Sequence, residues 1–314
     1  MITAWVIGGN GLLGSALQRV LRRRGIRVFE PDERFCWESE GVIAQLEAAV
    51  KAFSAFVGSG NRWQIYWAAG VGTMSSTEVE LNTETRTLSA VLDFITTEQD
   101  LAMESGGVAF ASSAGAIYAG STEDIITENT PVAPTTDYAN EKLRQEDLLD
   151  TFVKNKGKVS VLCARISTLY GPGQATGKRQ GLLAHIARCI IRNQAVHIYV
   201  PLDTIRDYIA ADDAATMIVV ALCTLKEKPG VFTKIIASEK PTTIAEIVSV
   251  YKRVARRSPK IVASASKLST LYTRRIQFCS SSVPIIESCS KTSLLVGVAQ
   301  VLAAERASFT RSTL

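Results

Sequence analysis

Trp5-Val6-Ile7-Gly8-Gly9-Asn10-Gly11-Leu12-Leu13-Gly14 is the stretch whose reading decides the fold. Three apolar residues run directly into glycines spaced G-x-x-G-x-x-G, at Gly8, Gly11 and Gly14. From Ser15 to Arg24 the apolar side chains Ala16, Leu17, Val20 and Leu21 recur at helical spacing, and Gly25 stands where a C-terminal cap belongs. Ile26-Arg27-Val28-Phe29 reads as the next strand. A strand, glycine turn, helix and second strand is the setting in which a glycine pattern becomes a dinucleotide site. Glycine lets the backbone approach a pyrophosphate, and the helix N-terminus offers free N–H groups and the positive end of its dipole. Gly8, Gly11, Leu12, Leu13 and Gly14 are therefore the expected pyrophosphate residues. The first gap is one residue wider than in the usual dehydrogenase fingerprint, and a purely structural turn is the alternative.

The second strand ends at Glu30-Pro31-Asp32. An acid there accepts hydrogen bonds from the adenosine ribose and repels a 2′-phosphate, which favours NAD over NADP. Asp32 has the expected spacing, with Glu30 as the other acid. Arg34 keeps NADP open, because an arginine can pair with a 2′-phosphate.

Further along, strands and helices alternate. Val42 to Phe56 is an amphipathic helix, and Gln64-Ile65-Tyr66-Trp67 a strand followed by the small-residue turn Ala68-Ala69-Gly70-Val71-Gly72. Val79 to Thr96 reads as a helix, and Val108-Ala109-Phe110-Ala111 as a buried strand ending in Ser112-Ser113. Val159 to Arg165, His197 to Val200 and Val231 to Ala237 read as strands. Helices are expected over Leu182 to Arg192, from near Asp212, over Ile244 to Arg257 and around Leu294 to Ala304. This alternation predicts an α/β fold with a Rossmann-type, doubly wound parallel sheet and a smaller C-terminal α/β substrate-binding region. The expected division is 1–170 for the dinucleotide domain, with 203–238 returning to it, and 171–202 plus 239–314 for substrate. Small residues and hydroxyls at strand C-termini fall on the edge where parallel sheets bind ligands. Ala68, Ala69, Gly70, Ser112 and Ser113 all lie there by this reading.

Thr136-Asp137-Tyr138-Ala139-Asn140-Glu141-Lys142 begins another helix. Tyr138 and Lys142 lie one turn apart on one face. An ammonium beside a phenol favours the ionised form, so this face lining a pocket would make Tyr138 a base. By spacing alone the pair also arises by chance on ordinary helices.

Composition narrows the classes. The chain has 314 residues, 46% hydrophobic and 21% charged, as in ordinary globular proteins. Six scattered cysteines form no C-x-x-C pair, and the histidines are His185 and His197 alone, so no metal site is expected. No apolar run approaches the roughly 20 residues of a membrane helix. The N-terminus opens directly into a strand, and a cytoplasmic location is the expectation. The net charge of +5 is uneven: residues 251–314 carry +9 and the remainder −4. Those basic residues lack interleaved aromatics, which argues for an anionic small substrate or a solvated surface over nucleic acid.

Taken in order, these pieces resemble the extended short-chain dehydrogenase/reductase family, and within it the NAD-dependent nucleotide-sugar epimerases and dehydratases. Gly8 to Gly14, Asp32, Ala68-Ala69-Gly70, Asn82, Ser112-Ser113, Tyr138 with Lys142, Arg165 to Gly173, and Arg206-Asp207-Tyr208 with Asp212-Asp213 carry the resemblance, over roughly residues 1 to 250. It implies that Tyr138 is the catalytic acid/base and that Lys142 holds the nicotinamide ribose and lowers the tyrosine pKa. It further implies that Ser113 or Ser112 binds the reacting hydroxyl, and that Arg206 and Thr168 contact the substrate. NAD as cofactor, a nucleotide-diphosphate sugar as substrate and a homodimer follow from the same likeness. A surface ion pair with Asp207 is the plainer reading of Arg206.

The sequence also departs from the family pattern. Ala114 and Gly115 stand where dehydratases place an Asp-Glu pair, which disfavours elimination of water. Thr168 replaces a common substrate-binding Asn. No third strand is recognisable between Phe35 and Asn61, and Arg274 and Arg275 are the nearest match to a C-terminal arginine that grips the second phosphate. Three functions fit: an epimerase working by transient hydride transfer, a reductase or dehydrogenase of a keto sugar, and a non-catalytic NAD(P)-binding sensor.

Overall fold

The computed structural model describes residues 1–314 except 38, 40, 71, 74, 75, 175–180, 227, 264–274, 284–290 and 314. Val71, Arg274, Cys289 and most of the loop from Gln174 to Gln180 thus lie outside the described residues.

The first unit forms as the glycine stretch predicts. Strand β1 (Ile2–Ile7) is buried along nearly its whole length, as expected for a parallel strand covered on both faces. Helix α1 (Leu12–Arg23) buries Leu13, Ala16, Leu17, Val20 and Leu21. It ends in a left-handed Gly25, φ +68°. Gly25 N–H donates to the Arg22 carbonyl and Ile26 N–H to that of Leu21, the paired bonds of a Schellman cap. Strand β2 (Arg27–Phe29) follows.

Helix α2 (Val42–Val57) leads to β3 (Arg62–Trp67), α3 (Glu78–Thr97), the short α4 (Gln99–Met103), β4 (Gly106–Ser113) and a single turn α5 (Ala114–Ile117). Helix α6 (Asp137–Lys156) is started by Thr136, whose hydroxyl accepts from Ala139 N–H, and stopped by left-handed Gly157. Strands β5 (Val159–Ile166) and β6 (Thr168–Tyr170), helix α7 (Leu182–Ile191), strands β7 (Ala195–Ile198) and β8 (Ile205–Ala210), and helix α8 (Ala211–Thr224) come next. The chain closes with β9 (Gly230–Ile236), β10 (Pro241–Thr243), α9 (Ile244–Ala255), β11 (Lys260–Ala263) and α10 (Leu294–Thr313). The strand expected at His197 to Val200 lies earlier, because it pairs with β11 from Ala195 to Ile198.

The main sheet has six parallel strands in the order β2-β1-β3-β4-β5-β9. Its two faces carry separate cores. One holds Trp5, Leu46, Phe53, Leu88, Val91, Leu149 and Phe152 under α2, α3 and α6. The other holds Leu17, Leu21, Tyr66, Ala215, Ile218 and Leu222 under α1 and α8. This is the doubly wound α/β arrangement read from the sequence. The strand missing from the sequence between Phe35 and Asn61 is also missing from the sheet among the described residues, so β2 is an edge. Three residues are all it exposes, and aromatic rings cover its flank: Phe29 lies 5.6 Å from Trp5 and 5.4 Å from Phe56. Arg27 lies across the Phe56 ring and donates to the Phe56 carbonyl at 2.6 Å. Short length and a charged residue are standard ways to blunt an edge.

A second, three-stranded sheet, β10-β8-β6, and a β11-β7 ribbon sit with α7, α9 and α10 around a third core that includes Leu183, Ile186, Tyr251, Val298 and Leu302. Within residues 203–238, α8 and β9 pack on or join the main sheet while β8 pairs in the second one.

Candidate active site

The C-terminal ends of β1, β3 and β4 lie side by side, since Ile7 is in register with Trp67 and Trp67 with Phe110. The loops that leave these ends build the site.

Gly8 turns the chain out of β1 with φ +88°. A Cβ on Gly8 would stand 2.5 Å from the Ala69 nitrogen, so this glycine is what lets the β1 turn press against Ala68-Ala69 after β3. A Cβ on Gly14 would stand 2.1 Å from the Gly8 carbonyl oxygen. Gly11 N–H donates to that same carbonyl at 3.0 Å. Gly11 is the N-cap of α1; it offers no capping side chain, and no acid occupies the first turn. The helix therefore presents its backbone donors at Leu12, Leu13 and Gly14 without a side-chain anion of its own, which fits a pyrophosphate. After β2, Glu30 pairs with Arg22 from the last turn of α1. Asp32 lies exposed in the bend that follows.

The two serines of β4 meet different residues of the same helix, α6. The Ser113 hydroxyl lies close enough to the Tyr138 hydroxyl of α6 to favour its ionised form. Ser112, on the Phe110 side of the strand, donates to Glu146 Oε1 at 2.6 Å, two turns further along the same helix. Glu146 is also held by Arg165 through two bonds, Nη2 to Oε2 at 2.6 Å and Nε to Oε1 at 3.1 Å. Arg165 donates in turn to the Tyr118 hydroxyl at 2.5 Å. Of the two serines expected at the reacting hydroxyl, the fold thus brings Ser113 to Tyr138 and engages Ser112 in a buried ion-pair network.

Lys142 lies one turn along α6 with its ammonium 5.7 Å from the centre of the Tyr138 ring and 4.9 Å from that of Phe110. Burial pulls its pKa down while the carboxylates of Glu84, Glu146 and Glu141 pull it up, with burial prevailing. Tyr138 departs from the expectation of a lowered pKa. Burial, then the charge of Glu84, push it from 10 up to about 12, and the nearby Ser113 hydroxyl recovers only part of this. Two features account for the difference. The lysine ammonium donates to Gln145 Oε1, at 2.9 Å, and not to the phenol. A negative charge, Glu84, also stands close enough to Tyr138 to oppose ionisation.

Sequence reasoning missed Glu84. Its Oε1 accepts from Gly72 N–H at 2.5 Å, and a Cβ on Gly70 would lie 3.1 Å from its Oε2. The carboxylate therefore seats against the turn after β3. An acid within an amphipathic helix carries no signal of such a role. Gln145 was more legible, because it follows Lys142 at i+3. Asn82, two residues before Glu84, accepts from Arg144 at 3.2 Å.

The substrate side is only partly assembled. Arg206 and Asp207 are neighbours on β8, and Asp207 is buried. The Asp207 carboxylate accepts from Ser167 at 2.5 Å, from Ser238 N–H and hydroxyl at 2.8 Å each, and from Lys240 N–H at 3.2 Å. Arg206 Nη1 donates to the Ile205 carbonyl at 2.8 Å. The chain at Arg275 forms a parallel bridge with Ile205, which sets Arg275 alongside the Arg206 strand. Thr168, next to Ser167, is exposed at the start of β6. Among the described residues no group of three or more His, Cys, Asp or Glu side chains could hold a metal ion. None of the described helices is long and apolar enough to cross a membrane.

Comparison with known proteins points the same way. A dTDP-L-rhamnose 4-epimerase from Burkholderia thailandensis is 30% identical over 125 residues, a match that spans 39% of this chain and 33% of that protein. Among solved structures, MoeE5 in complex with UDP-glucuronic acid and NAD aligns with a TM-score of 0.79 and 20% identity over 98% of this chain and 99% of its own. The UDP-glucose 4-epimerase of Thermotoga maritima with UDP-glucose aligns at 0.76 and 19% identity, over 98% and 100%. These structural likenesses establish the shared fold. The model of the NAD-dependent epimerase/dehydratase family matches residues 4–233, from the first buried strand to the last strand of the main sheet, and to that family this chain belongs.

Proposed function

We propose that the protein is an NAD-dependent nucleotide-sugar epimerase in which Tyr138 is the acid/base. One observation carries the reading: Ser113 from β4 and Lys142 from α6 converge on Tyr138, beside a glycine turn shaped for a pyrophosphate. The backbone at Gly8, Gly11, Leu12, Leu13 and Gly14 would hold the pyrophosphate, Asp32 the adenosine ribose, and Ala68, Ala69 and Gly70 the chain's path along the cofactor. Tyr138 and Lys142 would contact the nicotinamide ribose. When bound, the nicotinamide accepts a hydride from a sugar carbon and returns it.

The protein's own residues do the rest. Tyr138 takes the proton of the sugar hydroxyl as the hydride leaves and gives it back after the flat keto sugar has turned. Ser113 holds the reacting oxygen and the phenol in one hydrogen-bonded line. Lys142 keeps a positive charge beside the ring. Arg206, with Arg275 on the neighbouring chain segment, and Thr168 would receive the substrate diphosphate; a guanidinium fork suits that anion. With Ala114 and Gly115 after Ser113, no side chain of that stretch supplies the acid and base of a dehydratase. The smaller region, 171–202 with 239–314, would bind the nucleotide-sugar against the 1–170 dinucleotide part. A cytoplasmic homodimer belongs to the same reading.

The test is incubation of the NAD-loaded protein with UDP-, dTDP- and GDP-sugars, reading products by NMR and the nicotinamide absorbance together. A new epimer with no net absorbance change is expected. Stoichiometric consumption of NAD(P)H would instead identify a keto-sugar reductase, and cofactor binding with no conversion of any sugar would point to a sensor.

A further inference from the structure

Behind Tyr138 a row of buried polar side chains links α6 to α3. Lys142 Nζ donates to Gln145 Oε1 at 2.9 Å, and Gln145 Nε2 donates to Thr85 Oγ1 at 2.8 Å. The Thr85 hydroxyl donates to Glu141 Oε1. All four are nearly closed to water, Gln145 at 2% exposure and Thr85, the most open, at 9%.

The two ends of this row fix its direction. An ammonium has only protons to give, and an ionised carboxylate only lone pairs. Thr85 must use its single proton on Glu141, which leaves its lone pair for the amide. Gln145 must then turn its NH₂ to Thr85 and its carbonyl to Lys142. The reverse orientation would set amide protons against ammonium protons. We propose that Gln145, held in this sense by Thr85 and Glu141, is a positioning residue that keeps the Lys142 ammonium charged and fixed beside Tyr138 during the reaction. The role of Lys142 in that reaction rests on the function proposed above.

Several charges face Lys142. Glu84 approaches from α3, and Glu141 and Glu146 lie on its own helix. Tyr138 and the Phe110 ring of β4 flank the ammonium. Each carboxylate has another partner: Glu84 takes Gly72 N–H, Glu141 takes Thr85 and Arg144, and Glu146 takes Arg165 and Ser112. Among the described residues, Gln145 accepts a hydrogen bond from the ammonium directly. Loss of a hydrogen bond to the charged form favours the neutral amine, so removing this carbonyl lowers the lysine pKa.

The experiment titrates the ¹³Cε resonance of Lys142 in nucleotide-free protein, with the signal assigned by its loss in Lys142→Arg. Gln145→Leu should move the midpoint down by about 1–2 pH units, the size of one hydrogen bond to a charged group. Thr85→Val, which frees the amide to rotate, should move it in the same direction by less, and Thr85→Ser should titrate with the wild type. Should Gln145→Leu fail to fold, Thr85→Val against Thr85→Ser decides. Coincident midpoints for Gln145→Leu and wild type, or for Thr85→Val and Thr85→Ser, would overturn the proposal even if the variants melt earlier, since a packing role changes stability and not this ionisation. The titration needs no turnover, so its failure is read separately from a failure to convert nucleotide sugars.

Discussion

Tyr138 keeps part of its surface open, yet desolvation of the phenol and then the charge of Glu84 push its pKa up to about 12, far above neutral pH. A base at physiological pH therefore requires more positive charge near the phenol than Lys142 supplies. The ring of oxidised nicotinamide is such a charge, and opposite charges at close range lower a pKa. Titration of the Tyr138 ¹³Cζ resonance should thus show a midpoint near 12 without nucleotide and a lower one with NAD⁺. An unchanged midpoint would separate the cofactor site from Tyr138. The same shift affects stability. The folded value lies above the ordinary value of 10, so between those limits the folded protein keeps a proton that the unfolded chain has released. Stability is then complete below pH 10 and declines as pH rises towards 12. Tyr138→Phe should flatten its share of that decline in urea titrations, with the remainder due to other buried tyrosines such as Tyr170 and Tyr208, each also pushed to about 12. Gly14 is the other decisive residue. With a Cβ 2.1 Å from a backbone oxygen, Gly14→Ala must displace the β1 turn or α1. A loss of about 1–3 kcal/mol is expected from such overpacking, with weakened NAD binding by calorimetry.

At the scale of elements, the site depends on how α6 is fixed between β4, β5 and α3. The Arg165–Glu146 pair ties α6 to β5, with both side chains almost wholly out of water and two hydrogen bonds between them. Removing one partner leaves a buried charge uncompensated. Glu146→Ala should therefore cost about 3–5 kcal/mol in urea unfolding. Replacing both Glu146 and Arg165 by apolar residues of similar size should cost less, and equal losses would contradict this account of the pair. Most of these elements were legible. The first βαβ unit was plain from its glycines and apolar spacing, and α6 was marked by its Tyr–Lys pair, while the capping role of Thr136 emerged only in the structure. The β7 strand was displaced because its partner, β11, lies more than sixty residues away and sets the register from outside the local pattern. The choice between Ser112 and Ser113 was hidden for a related reason: both serines meet α6, and which of its residues each one reaches is a tertiary fact that adjacent hydroxyls do not reveal.

Over the whole molecule, the ligand edge of one sheet collects what the chain keeps apart: a glycine turn at Gly8, a small-residue turn at Ala68, the Ser113 hydroxyl and the Tyr138 helix. The missing edge strand beyond β2 leaves this collection intact, because the site is built from β1, β3 and β4 at the sheet's centre. The charge balance of the site was the least legible part, since Glu84 reaches Tyr138 only through the packing of α3 on α6. The central claim is that Tyr138 moves the proton that accompanies hydride transfer. It is tested most directly by the turnover of NAD-loaded Tyr138→Phe on whichever nucleotide sugar the wild type converts, with NAD affinity measured on the same preparation. Turnover should fall by about 10²–10⁴-fold, the usual contribution of a positioned acid/base, with NAD affinity retained. Turnover at the wild-type rate would contradict it.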